Sequence, residues 1–376
     1  MNKVNNRIVT RVPNYHMTLQ TTNTEGASGN NFVRSWDSNK FTIGGDTAVN
    51  TNNGEYISYA FTDISGYSKF SYYTGNGSAQ AISGVGFQPD WVWLKRRSSV
   101  QNNNVFDSVR GTNKVLATNV TDTEGSVSQF LNSFDSDGFT VGSASNVSAN
   151  GETNVAFNWY APTSFSNDAS ATSVGTIDSS GKINAAAGFS IISYTGNGTA
   201  GATVAHGLSS APEMIIAKNR EQSYGWIVGA FQINNTKALY LNDSSVTYDT
   251  NNYWNSTNPT SSVFSLGAAG GINIDTKDVI AYCFHSVDGY SKVGTYTGND
   301  NANGTFVYCG FKPAYVHINN PNTDGEGFVY MNNKSDPDNV VGTYLTTYGT
   351  TQEQGTAGTT HSRSIDFVSN GFKIRG

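Results

Sequence analysis

Apolar residues recur at every second position in three similar segments. Val92 and Leu94 alternate with Trp91 and Trp93, Ile215 and Ala217 with Met214 and Ile216, and Val316 and Ile318 with Tyr315 and His317. Period two is the signature of a half-buried strand. The first set is aliphatic in all three segments and is assigned to the core; the second set is large but changes identity. Gly-Asn, Ser-Asp-Gly and Ser-Asn-Gly stand between apolar runs, where residues tolerant of positive φ make hairpin turns inexpensive. Pro89, Pro212 and Pro313 each precede a strand, a place where the missing N–H does no harm. No stretch shows amphipathic helical spacing. Regularly spaced short strands with these turns predict an all-β chain of tandem antiparallel β-sandwich, jelly-roll-like units.

The strands belong to an internal repeat. FTDISGYSKFSYYTGNG at 61–77 returns as FHSVDGYSKVGTYTGND at 284–300, and a shorter ISYTGNG stands at 192–198. The markers Tyr73, Tyr194 and Tyr296 lie 121 and 102 residues apart (194 − 73, 296 − 194), and Pro89, Pro212 and Pro313 lie 123 and 101 apart (212 − 89, 313 − 212). A third marker comes late in each unit: FDSDGFTVG at 134–142, the weaker VFSLG at 263–267, and IDFVSNGFKI at 365–374. It also occurs early, as WDSNKFTIG at 36–44. A closing apolar strand follows it at Tyr56–Phe61, Val155–Tyr160 and Val279–Phe284.

These markers divide the chain into an N-terminal arm (1–31), a partial repeat tail (32–66), a sandwich unit (67–160), a linker or long loop (161–187), a second unit (188–288) and a third (289–376) that stops before its closing strand. The arm has Lys3, Arg7 and Arg11 with no acid before Glu25. Such an arm is disordered unless it docks. An unfinished sandwich exposes a sheet edge, which proteins avoid. The spare strand with Tyr56, Ile57, Tyr59 and Phe61 is therefore the candidate for strand exchange, supplied by this chain or a neighbouring copy. The other expectation is that the natural protein continues beyond Gly376.

Composition removes several classes. Of 376 residues 37% are hydrophobic but only 13% charged, with 20 Tyr, 20 Phe and 40 Gly, so the polar surface rests on Asn, Ser, Thr and Gly. Few charges with many aromatics argue against disorder. No run of about 18 apolar residues predicts a membrane span, and the N-terminus lacks the apolar stretch of a secretory signal. A net charge of −6, with Lys95-Arg96-Arg97 the sole basic triplet, leaves no footprint for nucleic acid. Cys283 and Cys309 lie in apolar strand-like settings and read as buried thiols.

Chemistry finds little footing. His16, His206, His285, His317 and His361 share no ligand spacing, and no nucleophile elbow or phosphate loop is present. Asp135 and Asp137 could pair as glycosidase carboxylates or open a calcium loop, but the second acid is not repeated and further ligand positions are missing. Asx side chains capping a turn are the plainer reading. No enzyme activity, metal or cofactor is expected. Binding has better support: Trp91, Trp93, Tyr315 and His317, on the strand face opposite the aliphatic set, are candidates for an interface or for stacking on a glycan.

The linked pattern YTGNG, then GF-x-P-x-W/Y-V-x-I/L, then (S/D)-(D/N)-G-F, then an apolar strand resembles repeat modules of structural proteins of marine bacteriophages such as cyanophages. It covers residues 32–376, although the middle unit reads His206-Gly207-Leu208 where its neighbours have Gly-Phe. The resemblance implies a non-enzymatic structural protein on a virion surface, assembled in the bacterial host cytoplasm: a tail fibre or host-attachment component. A capsid decoration or head fibre is the alternative. A carbohydrate-binding or carbohydrate-active secreted protein is a second alternative. Implied partners are other virion proteins, further copies of the chain in a homo-oligomer and a host surface glycan, without nucleic acid or membrane insertion.

Overall fold

The computed structural model describes residues 55–243, 248–249, 251–301, 303–322, 328–333, 339–341, 343–346, 354–355 and 364–375, with strand segments at 8–10, 15–17, 26–27, 33–37 and 40–43. It is all-β, with antiparallel sheets and helical turns of four residues each among the described residues. Each of three units sets a large sheet against a smaller one. In the first, an opening strand Ser68–Thr74 pairs with a closing strand Thr153–Trp159, which pairs in turn with the post-proline strand Trp91–Arg96. In the second, the corresponding strands are Phe189–Thr195, Asp278–Phe284 and Met214–Asn219.

The third unit has an opening strand Ser291–Thr297 and a post-proline strand Tyr315–Asn319, and between them lies Glu55–Phe61 from the N-terminal tail. Its register repeats that of the others. Trp159 stands opposite Ser68 and Trp91, Phe284 opposite Phe189 and Met214, and Phe61 opposite Ser291 and Tyr315. The carbonyls of Trp159, Phe284 and Phe61 accept from the backbone N–H of Asp90, Glu213 and Ala314, each at 2.8 Å. The early marker hairpin, Val33–Asp37 with Lys40–Ile43, joins the smaller sheet of the same unit beside Ser364–Val368. The chain thus completes its last unit with its own beginning.

In the first two units the packing divides as the alternation predicts, while in the third the two faces belong to one continuous cluster. Val92 and Leu94 lie in the interior of the first sandwich with Phe106, Phe139 and Val141, and Ile215 and Ala217 lie in that of the second with Trp254 and Phe264. Val316 and Ile318 are fully buried. The repeat markers have direct physical causes. The Tyr73 and Tyr194 hydroxyls donate to the carbonyls of Val147 and Ile272, at 2.6 and 2.8 Å, tying the opening strand to a helical turn. A Cβ on Gly75 or Gly196 would fall 2.3 or 2.4 Å from the carbonyl oxygen of Ala149 or Ile274 on that turn. Asn76 and Asn197 accept from the N–H two residues on, forming Asx turns. At the late marker, a Cβ on Gly138 or Gly371 would meet the Ile82 or Val307 carbonyl oxygen within 2.0 Å, so only glycine lets the neighbouring strand approach.

One expectation is corrected and another is resolved. Residues 161–187 are not a linker: Thr163–Asn167 and Ser179–Asn184 pair with each other, and the second adds to the edge of the second unit's large sheet. Their Ser, Thr and Gly content gives no hydrophobic alternation, because an edge hairpin is held by its ladder and buries mainly Phe165 and Ile183 against the sandwich interior. The arm, expected to be disordered unless docked, has described strands that dock. Its described strands, Ile8–Thr10, Tyr15–Met17 and Gly26–Ala27, extend the third unit's large sheet from Thr343–Thr346.

Candidate functional site: the strand slot and the inter-unit core

The slot filled by Glu55–Phe61 is the first element of the site. Of the strand-exchange candidates, Tyr56 stands in register with Tyr296, and Ile57 with Thr295 and Asn319; the side chains of Tyr56 and Ile57 lie outside the described residues. Tyr59 is fully buried, its ring tilted against His317 at 5.3 Å and Phe328 at 6.1 Å. Phe61 reaches the junction of all three units. It meets Trp159 at 5.8 Å and Phe284 at 5.6 Å, and those two lie 6.3 Å apart, all edge-on. These are the last residues of the three closing strands. Equivalent residues of the three units thus meet in one aromatic trio, with one ring from each unit.

Around the trio the face opposite each aliphatic set forms a shared core. Trp91 stacks on Tyr282 (4.7 Å) and Phe189 (5.8 Å) of the second unit, and Trp93 meets Tyr330 (5.4 Å) of the third. Tyr315 packs on Phe70 and Phe157 of the first unit at 5.5 and 5.7 Å. His317 lies against Tyr330 at 4.2 Å. All four are 2–3% exposed and do not face a glycan in solvent; Trp91, Trp93 and Tyr315 form an interface between units of one chain, and His317 packs within the third unit against Tyr59, Phe328 and Tyr330.

A polar lock that sequence reasoning missed joins the first two units beside this core. The Asp107 carboxylate, fully buried, accepts from Arg110 and from the Tyr282 hydroxyl at 2.7 Å. Arg110 also reaches Glu124 at 3.2 Å, and Arg220 of the second unit donates twice to Glu124 at 3.0 Å. Burial raises the Glu124 carboxyl, but bonds and charge from Arg220 and Arg110 outweigh it and hold the group below the usual range. Asp90, 1% exposed, accepts from Ser108 (2.6 Å), Lys182 (2.7 Å) and the Ala161 N–H (2.8 Å), pinning the edge hairpin. Apart from Asp107 and Arg110, three residues apart, these partners are scattered between Asp90 and Tyr282 and share no local spacing that would betray them.

Of the carboxylates at the first unit's late marker, Asp137 caps a turn and Asp135 binds hydroxyls of its own hairpin. Asp137 accepts from Gly86 N–H (2.7 Å) and Gly84 N–H (3.0 Å), which lower its pKa, and Asp135 accepts from Ser133 and Thr140. Cys283 and Cys309 are buried free thiols, pushed by burial up to about 12. Among the described residues no cluster of three His, Cys, Asp or Glu could hold a metal ion, and no helix is long and apolar enough to cross a membrane.

Fold and site together define a strand-complemented assembly of three β-sandwich units held by an aromatic core. The chain belongs to the family described as a domain of unknown function, DUF7483, whose model matches residues 2–81 and 71–376. No curated protein and no solved structure matches it.

Proposed function

We propose that this chain is a non-enzymatic structural protein of a phage particle, a tail fibre or host-attachment component on the virion surface. The observation that carries the reading is the inter-unit core. The bulkiest side chains, among them Trp91, Trp159, Tyr282 and Phe61, are used to fasten three units into one body. A chain closed by its own N-terminal strand leaves no unfinished edge in that slot, a property that suits a rigid building block. The likeness of the repeat markers to modules of marine-phage structural proteins supplies the particle and, with it, other virion proteins as partners. Capsid decoration is the second reading, favoured by the convergence of three similar units on one aromatic trio, a number that suits three-fold positions on a shell.

Immunogold electron microscopy of particles from the source, using antibody raised to the purified chain, tests the proposal. Gold on tails is the expected result, and gold confined to heads selects the second reading. Unlabelled particles, with the chain recovered only away from them, overturn both.

A further inference from the structure

Among the described residues five large apolar side chains are exposed: Tyr72, Val100, Tyr224, Phe306 and Tyr308. Only Phe306 and Tyr308 share a strand face. They alternate with Val307, which packs toward the core, on the edge strand Phe306–Tyr308 of the third unit's smaller sheet, and they are 45% and 65% exposed. The corresponding strands of the other units, Gln80–Ser83 and Ala202–Ala205, have no ring at all. This pair is therefore an addition to the repeat and is not required by the fold.

The surroundings are polar and cationic. Phe306 stands opposite Lys373, and Tyr308 opposite Gly371, which places no side chain beside it. Lys373 bonds the Asn303 side chain and lies next to a second cation, Arg375, which is itself paired with Asp366. Asp366 also stands opposite Lys373, so this face carries two cations and one acid. A locally positive face on a chain of net charge −6 is a place where an anion is favoured.

We propose that Phe306 and Tyr308, with Lys373 and Asn303, form a saccharide platform for an acidic cell-surface glycan. Residues two apart on a strand sit about 7 Å apart, so the two rings can stack on successive sugars of one chain. The amide serves hydroxyls and the ammonium serves a carboxylate or sulfate. A protein partner fits less well: two rings offer at most about 500 Å², well short of the roughly 800 Å² that one side of a stable interface buries, and a three-residue edge gives a short ladder. The proposal rests on the host-attachment reading and gives it a ligand class.

Native affinity electrophoresis of the full chain in gels containing alginate, chondroitin sulfate or neutral dextran tests it. The expected result is retardation by an anionic polymer and free migration in dextran. F306A/Y308A should weaken retention about tenfold or more and Lys373→Gln about threefold, whereas Tyr72→Ala should leave it unchanged. Melting curves check the fold, and if the double variant melts early the single Tyr308→Ala serves instead. The inference is overturned by free migration in both anionic polymers, by equal retardation in dextran, or by retention that survives loss of the rings. It is also overturned if sedimentation without polysaccharide shows F306A/Y308A dissolving an oligomer, which would make the strip a contact between copies. Immunogold labelling is independent, so labelled particles without glycan retention refute the platform alone.

Discussion

Replacing Phe61 by Ala removes one ring of the aromatic trio and tests the closure of the third unit directly. Phe61 is 4% exposed and meets Trp159, Phe284, Tyr290 and Tyr315 with centroids at 5.6–6.0 Å. Truncating a buried Phe to Ala costs about 3–5 kcal/mol, the transfer term plus the cavity, and edge-to-face partners push toward the upper end. Because the strand Glu55–Phe61 is held by its two neighbours and by the buried rings of Tyr59 and Phe61, the loss should appear first as local opening. A cost near 4 kcal/mol corresponds to roughly a thousandfold faster amide exchange where opening is local. Hydrogen exchange read by mass spectrometry should show that acceleration in Ser291–Thr297 and Tyr315–Asn319, with much smaller change in Gln80–Ser83 and Gly138–Val141, inside the first sandwich. Unchanged protection in the two flanking strands, or a cost below about 1 kcal/mol, would show that the tail strand is not seated in the slot.

Three further outcomes are expected. Ser58 stands opposite Gly294, so the S58C/G294C chain should oxidise to a cross-linked monomer on non-reducing gels, and covalent dimers would mean that the strand is exchanged between copies. Burial lowers His206 to about 4, against a bond to the Thr260 carbonyl that favours the charged form; its Nδ1 accepts from the Leu208 N–H, so the ring is held neutral. The unfolded chain then binds more protons between pH 6.5 and 4, so stability should fall by up to about 3 kcal/mol as pH drops through that window, and melting curves of His206→Gln should lack this contribution. Gly138→Ala should destabilise the first sandwich by several kcal/mol, because a Cβ would sit 1.9 Å from the Ile82 carbonyl oxygen, whereas the same change at Gly84, where nothing stands within 4 Å, should act only through its positive φ; chemical denaturation distinguishes the two.

Much of this protein is legible in the sequence because repeat and period are local properties. Alternation at Val92/Leu94, Ile215/Ala217 and Val316/Ile318 fixes which strand face is interior. The YTGN and S-(D/N)-G-F markers report backbone contacts that only those residues permit, and the early spare strand announces an incomplete last unit. The hairpin at Thr163–Asn167 and Ser179–Asn184 was invisible because an edge ladder needs no apolar pattern. The lock of Asp107, Arg110, Glu124, Arg220 and Tyr282 was invisible for a different reason: partners far apart in the chain become neighbours only after the units pack. The face holding Trp91, Trp93, Tyr315 and His317 could be read as important, but alternation states only that a side chain points away from its own sandwich, not what it meets. Tertiary packing decided that it meets the other two units, and the same packing left Phe306 and Tyr308 outside. Local sterics and hydrophobic period are written residue by residue, while the partner of an outward face depends on how whole sheets are placed, which no single stretch of sequence contains.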